Sequence, residues 1–418
     1  MQRALIIDDD ADFRRTFSEL LSAFGWQTWQ ASHGGAGIVL ARKLRPEVVF
    51  CDLMMPRGNG FQFCRALRAD PRLNETRLIV ISGHAVPANR KAARGAGADD
   101  CLTKPVSLAR LRTALQATAR LPSAWLRFWG VRGSIPTPGR ATVRYGGNTS
   151  CVEVRVGDEI LILDAGTGIR PLGQALMAEF PRRSLRLTVL LTHTHWDHIQ
   201  GLPFFAPLYQ ARHHIRILGS EGARRGLAAI LGNQMENPFF PVGLDELPSN
   251  VQIEELRDLH FQIGGVRVEA CYANHPGVCL GYRLFAGSRS LAFFPDHEPR
   301  ISRRSGTAKS KDRKLLKFLQ GTEVLIMDAQ YDCREYRRHR GWGHGCVDDT
   351  VALALEAGAQ RLFLFHHDPD HDDIQLANLT RHAQSLVAAR GAKLRVEAAR
   401  EGQKIHWAGA AVRRPLRA

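Results

Sequence analysis

The chain lacks any apolar run approaching the roughly 20 residues that span a bilayer, so no membrane-crossing helix is expected. Met1–Asp10 runs straight into a short apolar strand and an acid cluster, without a basic stretch or cleavage site, so no signal peptide is expected either. None of the eight cysteines forms a CxxC pair, which argues against a cysteine-framed zinc site. A reduced, cytoplasmic chain with packed thiols is the corresponding expectation. Fixed-period repeats and low-complexity tracts are absent. Acids are in deficit, 41 against 57 Lys and Arg, giving a formal charge of +16. That surplus suits an anionic partner or substrate and says nothing of fold. The sharpest scarcity is local: only His33 and His84 precede residue 121, and the other 15 of 17 histidines lie beyond it. A chain of 418 residues has room for two to four domains, and this asymmetry splits it into two chemically different pieces.

In the first piece, residues 1–120, Ala4–Ile7, Val48–Cys51 and Leu78–Ile81 are continuous apolar runs, the pattern of parallel strands covered on both faces. Phe13, Phe17, Leu20, Leu21 and Phe24 recur between the first two at helical spacing. Alternating strand and helix predicts a doubly wound parallel sheet, with ligands beyond the carboxyl ends of its strands. Polar residues stand there: Asp8, Asp9 and Asp10, then Asp52, Ser82 and Lys104. Clustered carboxylates repel one another unless a cation or a capping role absorbs them, and a hard oxygen site suits Mg²⁺. Lysine and hydroxyl nearby would complete a pocket of phosphate size.

The stretches LIIDDDADFR, VVFCDLMMPRGNGF, VISGH and GADDCLTKP resemble, in order, the motifs of response-regulator receiver domains. The resemblance implies that Asp52 is the phosphoacceptor, that Asp8, Asp9 and Asp52 hold Mg²⁺, and that Ser82 and Lys104 contact the phosphoryl group. It also implies a cognate sensor histidine kinase as partner. Cys101 stands where such domains usually carry an aromatic switch residue, so the usual hydroxyl–aromatic coupling is not expected.

Helical spacing fades at Arg120-Leu121-Pro122-Ser123, which makes residues 121–124 a short linker and 125–418 the second piece. There, short strands alternate with Gly/Pro turns; further strands are expected at Val266–Cys271, Ser290–Phe294, Val324–Met327 and Arg361–Phe365. Helices are expected near Gly222–Leu231 and Thr350–Ala357. Two strand-rich halves, each closed by helices, predict a four-layer αββα sandwich. The chemistry concentrates in His193-Thr194-His195-Trp196-Asp197-His198, directly after an apolar strand. Residues two apart on extended backbone project the same way, so His193 and His195 can grip one ion while Asp197 and His198 face a second. His275, Asp296 and the pair His366 and His367 each follow a strand and supply further ligand types; an aspartate can bridge two ions. The mixed nitrogen and oxygen set fits two divalent metals, Zn²⁺ first, with Mn²⁺ or Fe²⁺ as alternatives.

The stretch THTHWDH is similar to the HxHxDH motif of the metallo-β-lactamase superfamily. The resemblance implies His193, His195 and His275 on one metal, Asp197, His198 and His366 on the other, and Asp296 between them. It gives Asp164, in ILDAGTG, the part of an aspartate that hydrogen-bonds a ligand. The stretch GWGHGCVDDTVALALEAGAQRLFLFHHDP resembles the phosphodiesterase branch, which includes ribonuclease Z, and sets His344 to support the departing oxygen. A metal-activated water attacking phosphorus, with His344 as acid and Asp197 as a second proton-handling group, is the chemistry implied. Basic residues cluster at Arg300–Lys317 and at Arg334, Arg337, Arg338 and Arg340, flanking Asp296 and His344. A cyclic nucleotide, nucleotide or short oligonucleotide is therefore the expected substrate; lactone or thioester hydrolysis, or a metal-binding scaffold without turnover, are the alternatives. No membrane partner is expected, and a homodimer is allowed.

Overall fold

The computed structural model describes residues 2–55, 60–73, 76–83, 92–93, 95–116, 123–220, 226–299, 301–302, 309–310 and 313–408. The chain divides into two compact units, Met1–Arg120 and Leu121–Ala418.

In the first unit five parallel strands lie in the order Trp26–Ala31, Gln2–Ile7, Val48–Asp52, Arg77–Ser82 and Asp100–Thr103. Successive side chains of a strand point to opposite faces. Leu5, Ile7, Val49, Leu78 and Val80 pack to one side, where helices Gly34–Leu44 and Gly60–Ala69 contribute Ala41, Phe63 and Leu67. Ala4, Ile6, Phe50, Ile79 and Ile81 pack to the other, against Phe17 and Leu21 of helix Ala11–Ala23 and Leu111 and Leu115 of helix Leu108–Gln116. Both faces are covered, which is why the strands read as unbroken apolar runs. Asp10 has a local role: its carboxylate caps helix Ala11–Ala23, accepting from the N–H groups of Asp12 and Phe13 at 2.9 and 3.1 Å.

The second unit stacks two seven-stranded sheets. One has the order Asn250–Glu255, His214–Gly219, Arg186–Leu190, Glu159–Leu163, Cys151–Val156, Ala124–Gly130 and Lys404–Ala408. The other runs His260–Ile263, Val266–Tyr272, Leu280–Ala286, Arg289–Phe294, Val324–Asp328, Arg361–Phe365 and Arg395–Ala398. Their inner faces share one core, in which Val154, Leu161 and Leu163 meet Phe293, Ile326, Phe363 and Phe365. Alternate residues turn outward. Ile160, Ile162 and Leu187 pack under helices Ile169–Glu179 and Leu227–Asn233. Ala292, Leu325, Met327 and Leu364 pack under Arg313–Leu319, Val347–Glu356 and Asp373–Ala389. The four αββα layers follow directly from this period-two division of the strands.

The helix expected at Thr350–Ala357 starts earlier, at Val347, because Asp348 and Asp349 suit the positive end of a helix. That expected at Gly222–Leu231 is Leu227–Asn233, with residues 221–225 outside the described residues. Among the described residues no helix is long and apolar enough to cross a membrane.

Candidate phosphoacceptor pocket and metal centre

At the strand ends of the first unit, Lys104 Nζ donates to Asp8 Oδ2 at 2.7 Å and to Asp52 Oδ2 at 2.8 Å. Asp8, Asp9 and Asp52 offer oxygens that all lie within 4.8 Å of one another. Burial pushes the Asp8 carboxyl up, against the pull of Lys104. Burial works against the Lys104 charge too, but Asp52 and Asp8 outweigh it and hold its pKa above the usual lysine value. Ser82 is buried at the end of its strand, and its carbonyl accepts from the Lys104 N–H at 2.9 Å. Cys101 sits half-buried on the neighbouring strand.

In the second unit the chain leaves strand Arg186–Leu190, extends through His193 and His195, and winds one helical turn at Trp196–Ile199. Strands Arg289–Phe294, Val324–Asp328 and Arg361–Phe365 are mutually parallel, so the residues at their carboxyl ends, Asp296, Asp328 and His366, arrive at one edge. Two donor sets result. His193, His195, His275 and Asp296 form one, and Asp197, His198 and His366 the other, with ligand atoms within 4.8 Å of one another in each. The carboxylate of Asp296 divides between them. Its Oδ2 lies 3.7 Å from both His193 Nε2 and His275 Nε2, while Oδ1 lies 3.0 Å from His198 Nε2 and 3.4 Å from His366 Nε2.

The adjacent histidines part company. His366 Nε2 is 3.1 Å from Asp197 Oδ2, whereas His367 turns its Nε2 to the Ala399 carbonyl at 2.8 Å. Several rings have Nδ1 against an acceptor, which presents Nε2 to the centre. His198 Nδ1 meets Asp164 Oδ2 at 2.7 Å, His366 Nδ1 meets Gln330 Oε1 at 3.0 Å, and His275 Nδ1 meets the Gly343 carbonyl at 3.1 Å. Asp164 also accepts from the Thr192 N–H at 2.8 Å, tying the start of the histidine motif to the preceding strand. Asp164, Ser134 and His366 hold left-handed φ values of 60°, 63° and 56°. Such strain persists only where the surroundings over-determine it; the Ser134 N–H donates to Asp197 Oδ2 at 2.8 Å.

Residues 4–116 match the family described as response regulator receiver domain, and residues 160–367 that described as beta-lactamase superfamily domain. The first region aligns with protein PilH of Pseudomonas aeruginosa at 34% identity, over 28% of this chain and 97% of that protein. The chain belongs to the response-regulator receiver family. Its receiver domain also aligns with the DNA-binding dual master transcriptional regulator RpaA of Synechocystis sp. at 37% identity, over 30% of this chain and 53% of that protein. This chain thus spans about half the length of that relative. The fold of the second unit is that of the metallo-beta-lactamase fold protein YhfI from Bacillus subtilis, with a TM-score of 0.51 at 19% identity, over 68% of this chain and 99% of that one. The receiver domain is therefore followed by a metallo-β-lactamase-fold domain.

That fold implies divalent metal, and the donor atoms of the metallo-β-lactamase-fold domain fit it. His193 Nε2, His198 Nε2 and Asp296 Oδ1 are buried without a hydrogen bond of proper geometry. Each such atom costs about 1–3 kcal/mol, a cost that a shared cation removes. Burial keeps His193, His195 and His275 neutral, the form that ligates. Burial also opposes charge on His366, but Asp296 and Asp197 outweigh it and raise its pKa to about 9. The carboxylates thus call for positive charge at the second donor set, which a cation supplies equally well. His367, by contrast, is pushed down to about 3 by burial.

Sequence reasoning missed Asp328. This fully buried carboxylate takes His344 Nδ1 at 2.8 Å on Oδ2 and the Gly345 N–H at 3.1 Å on Oδ1. The signal was an apolar strand ending in an acid, the same pattern that marked Asp296. It also missed Glu298, which accepts from Tyr336 Oη at 2.6 Å and from the Gly341 and Gly343 N–H groups at 3.0 and 3.1 Å, holding the loop that leads to His344. The His344 ring lies 4.7 Å from that of His366 and 5.2 Å from that of His275. A cavity of about 960 Å³ opens beside His275 and Gly343, bordered by Tyr336, Arg337 and Arg340. Arg300, Arg303, Arg304 and Lys311 of the other basic run lie outside the described residues.

Proposed function

We propose that the metallo-β-lactamase-fold domain is a dinuclear-metal phosphodiesterase for a cyclic nucleotide, nucleotide or short oligonucleotide. Its control would come from phosphorylation of Asp52 by a sensor histidine kinase. The observation that carries the reading is the pair His344–Asp328 standing against the donor sets, with Arg337 and Arg340 bordering the adjoining cavity. In this reading His193, His195 and His275 hold one ion, Asp197, His198 and His366 the other, and Asp296 both. Two such ions supply Lewis acidity toward a phosphoryl oxygen and acidify water. Arg337 and Arg340 attract the anionic phosphodiester and orient it. Asp328 fixes the tautomer and direction of His344, which gives its proton to the departing oxygen as the P–O bond breaks. Asp164 holds His198 in place throughout. In the receiver domain, Asp8 and Asp9 hold Mg²⁺ beside Asp52, while Lys104 and Ser82 meet the phosphoryl oxygens.

Metal analysis of the purified chain, joined to a panel of bis(p-nitrophenyl) phosphate, cyclic nucleotides and lactones, tests the proposal. Two bound ions with phosphodiester turnover are expected. A preference for lactones would hand the assignment to carbonyl hydrolysis, and metal-loaded protein inert to every substrate would leave a scaffold. For control by phosphorylation, turnover is compared with and without a small phosphodonor in the parent and in Asp52→Asn. A phosphodonor that alters neither would remove that half of the proposal.

A further inference from the structure

Two cysteines flank the loop that delivers His344. Cys333 opens helix Cys333–His339 and borders the large cavity, while Cys346 is fully buried just ahead of helix Val347–Glu356. Their sulfurs lie 3.8 Å apart. The proximity is built in: the Tyr331 N–H donates to the Gly345 carbonyl at 3.1 Å and the Val347 N–H to the Tyr331 carbonyl at 3.0 Å, pairing Tyr331 with Cys346 as neighbouring strands pair. Cys333 follows two residues after Tyr331, at the start of helix Cys333–His339 and within sulfur contact of Cys346. The thirteen-residue separation encloses Arg337, Arg340 and His344.

We propose that Cys333 and Cys346 are a redox modification site, joined reversibly into a disulfide by a peroxide, and that the bridge lowers turnover at the adjoining centre. The second half rests on the phosphodiesterase reading; the first does not. Cys333, open to the cavity, attacks a peroxide oxygen; the O–O bond breaks, water leaves and Cys333 becomes a sulfenic acid. Cys346, whose sulfur lies 3.8 Å away, resolves it: its sulfur bonds to Cys333, the S–O bond breaks and a second water carries off its proton. Two thiols are oxidised and one peroxide is reduced to two waters. A disulfide needs its sulfurs about 2.05 Å apart, so the present 3.8 Å must close by about 1.8 Å. A backbone shift at either cysteine that helps to close this gap would move a working element. Cys346 is separated from His344 only by Gly345, whose N–H is bound to Asp328, and Cys333 heads the helix that carries Arg337.

The test treats the full-length, metal-loaded chain with hydrogen peroxide, quenches it with catalase and maps peptides without reduction. A cross-linked peptide pair containing Cys333 and Cys346, two hydrogens lighter than the separate peptides, is expected. Turnover of bis(p-nitrophenyl) phosphate should fall by about 100-fold, the share of a positioned acid, and return with dithiothreitol. Cys333→Ser and Cys346→Ser, each compared with its own untreated sample, should not respond. The rate at which diethyl pyrocarbonate modifies His344 gives a readout that needs no substrate, and it should change several-fold on oxidation. Peroxide that consumes other thiols while leaving this pair unlinked would overturn the site. A bridge that forms with turnover and His344 reactivity unchanged would overturn the control. Failure of the phosphodiesterase reading shows separately, as absent turnover in untreated protein.

Discussion

Replacing Gly133 by alanine probes how tightly the backbone is fitted around the second donor set. A Cβ placed on Gly133 would lie 2.2 Å from both Cε1 and Nδ1 of His366, where ordinary contact begins near 3.4 Å, so about 1.2 Å must be found. The loop cannot easily give. The Val131 and Arg132 N–H groups both donate to the Asn148 carbonyl at 2.9 Å, the Gly133 N–H to the His367 carbonyl at 3.0 Å, and the His367 N–H to the Val131 carbonyl at 3.0 Å. The ring must therefore swing, losing Gln330 and moving Nε2 by several times the roughly 0.2 Å that metal–ligand distances tolerate. Gly133→Ala should lower affinity for one of the two ions by about 10–100-fold, and overpacking should cost about 1–3 kcal/mol of stability. Metal content after dialysis against graded chelator, with urea unfolding of the same samples, reads both. A variant that keeps two ions at parental affinity would refute the close fit.

Three further outcomes follow from single contacts. His344→Ala should lower kcat by about 10²–10⁴ with metal content unchanged, and Asp328→Asn should do the same in part through the lost partner of Nδ1; steady-state kinetics beside metal analysis would expose either as a structural effect if the metal is lost too. Arg132 is fully buried and donates Nε to the Gly146 carbonyl at 2.9 Å and Nη1 to those of Asp368 and His371 at 2.9 and 2.7 Å. Arg132→Met strands three carbonyls and should destabilise the domain by about 3–5 kcal/mol in urea, whereas a loss below about 1 kcal/mol would refute the reasoning. His213 is buried with its Nδ1 accepting from the Leu185 N–H at 3.1 Å, and burial holds its pKa below the usual histidine value. The unfolded chain then takes up a proton first, so the stability His213 contributes is full above about pH 6.5 and is lost as pH falls below it. Unfolding midpoints between pH 7 and 5 should fall less steeply in His213→Asn; equal slopes would count against a neutral buried ring.

Much of the fold was legible because it rests on local rules. Residues such as Ile160 and Leu161, or Phe363 and Leu364, lie side by side in sequence and in different cores, so buried strands announced themselves as apolar runs. The helix at Val347 was misread by three residues because its start depends on two acids at a helix end rather than on apolar spacing. Among the polar groups, the cluster Asp8–Asp10 left a cation and a capping role both open, and the contact of Asp10 with the Asp12 and Phe13 N–H groups shows that Asp10 works as a cap. Asp328 ends an apolar strand as Asp296 does, but what gives it a role, its partner His344, lies sixteen residues away, across a helix and a loop.

The sequence by itself determined the two-piece division, the αββα layering and the clustering of four ligand-type side chains within His193–His198. Each depends on the period of a strand or on spacing along a few residues, which the backbone enforces locally. Tertiary structure alone decided which atoms face one another. Asp296, Asp328 and His366 converge because three parallel strands end at one edge. Consecutive side chains then point apart, so His366 turns to Asp197 while His367 turns to Ala399. The approach of Gly133 to His366, and of Cys333 to Cys346, depends on chain segments brought together by packing, a relation that no spacing along the chain encodes.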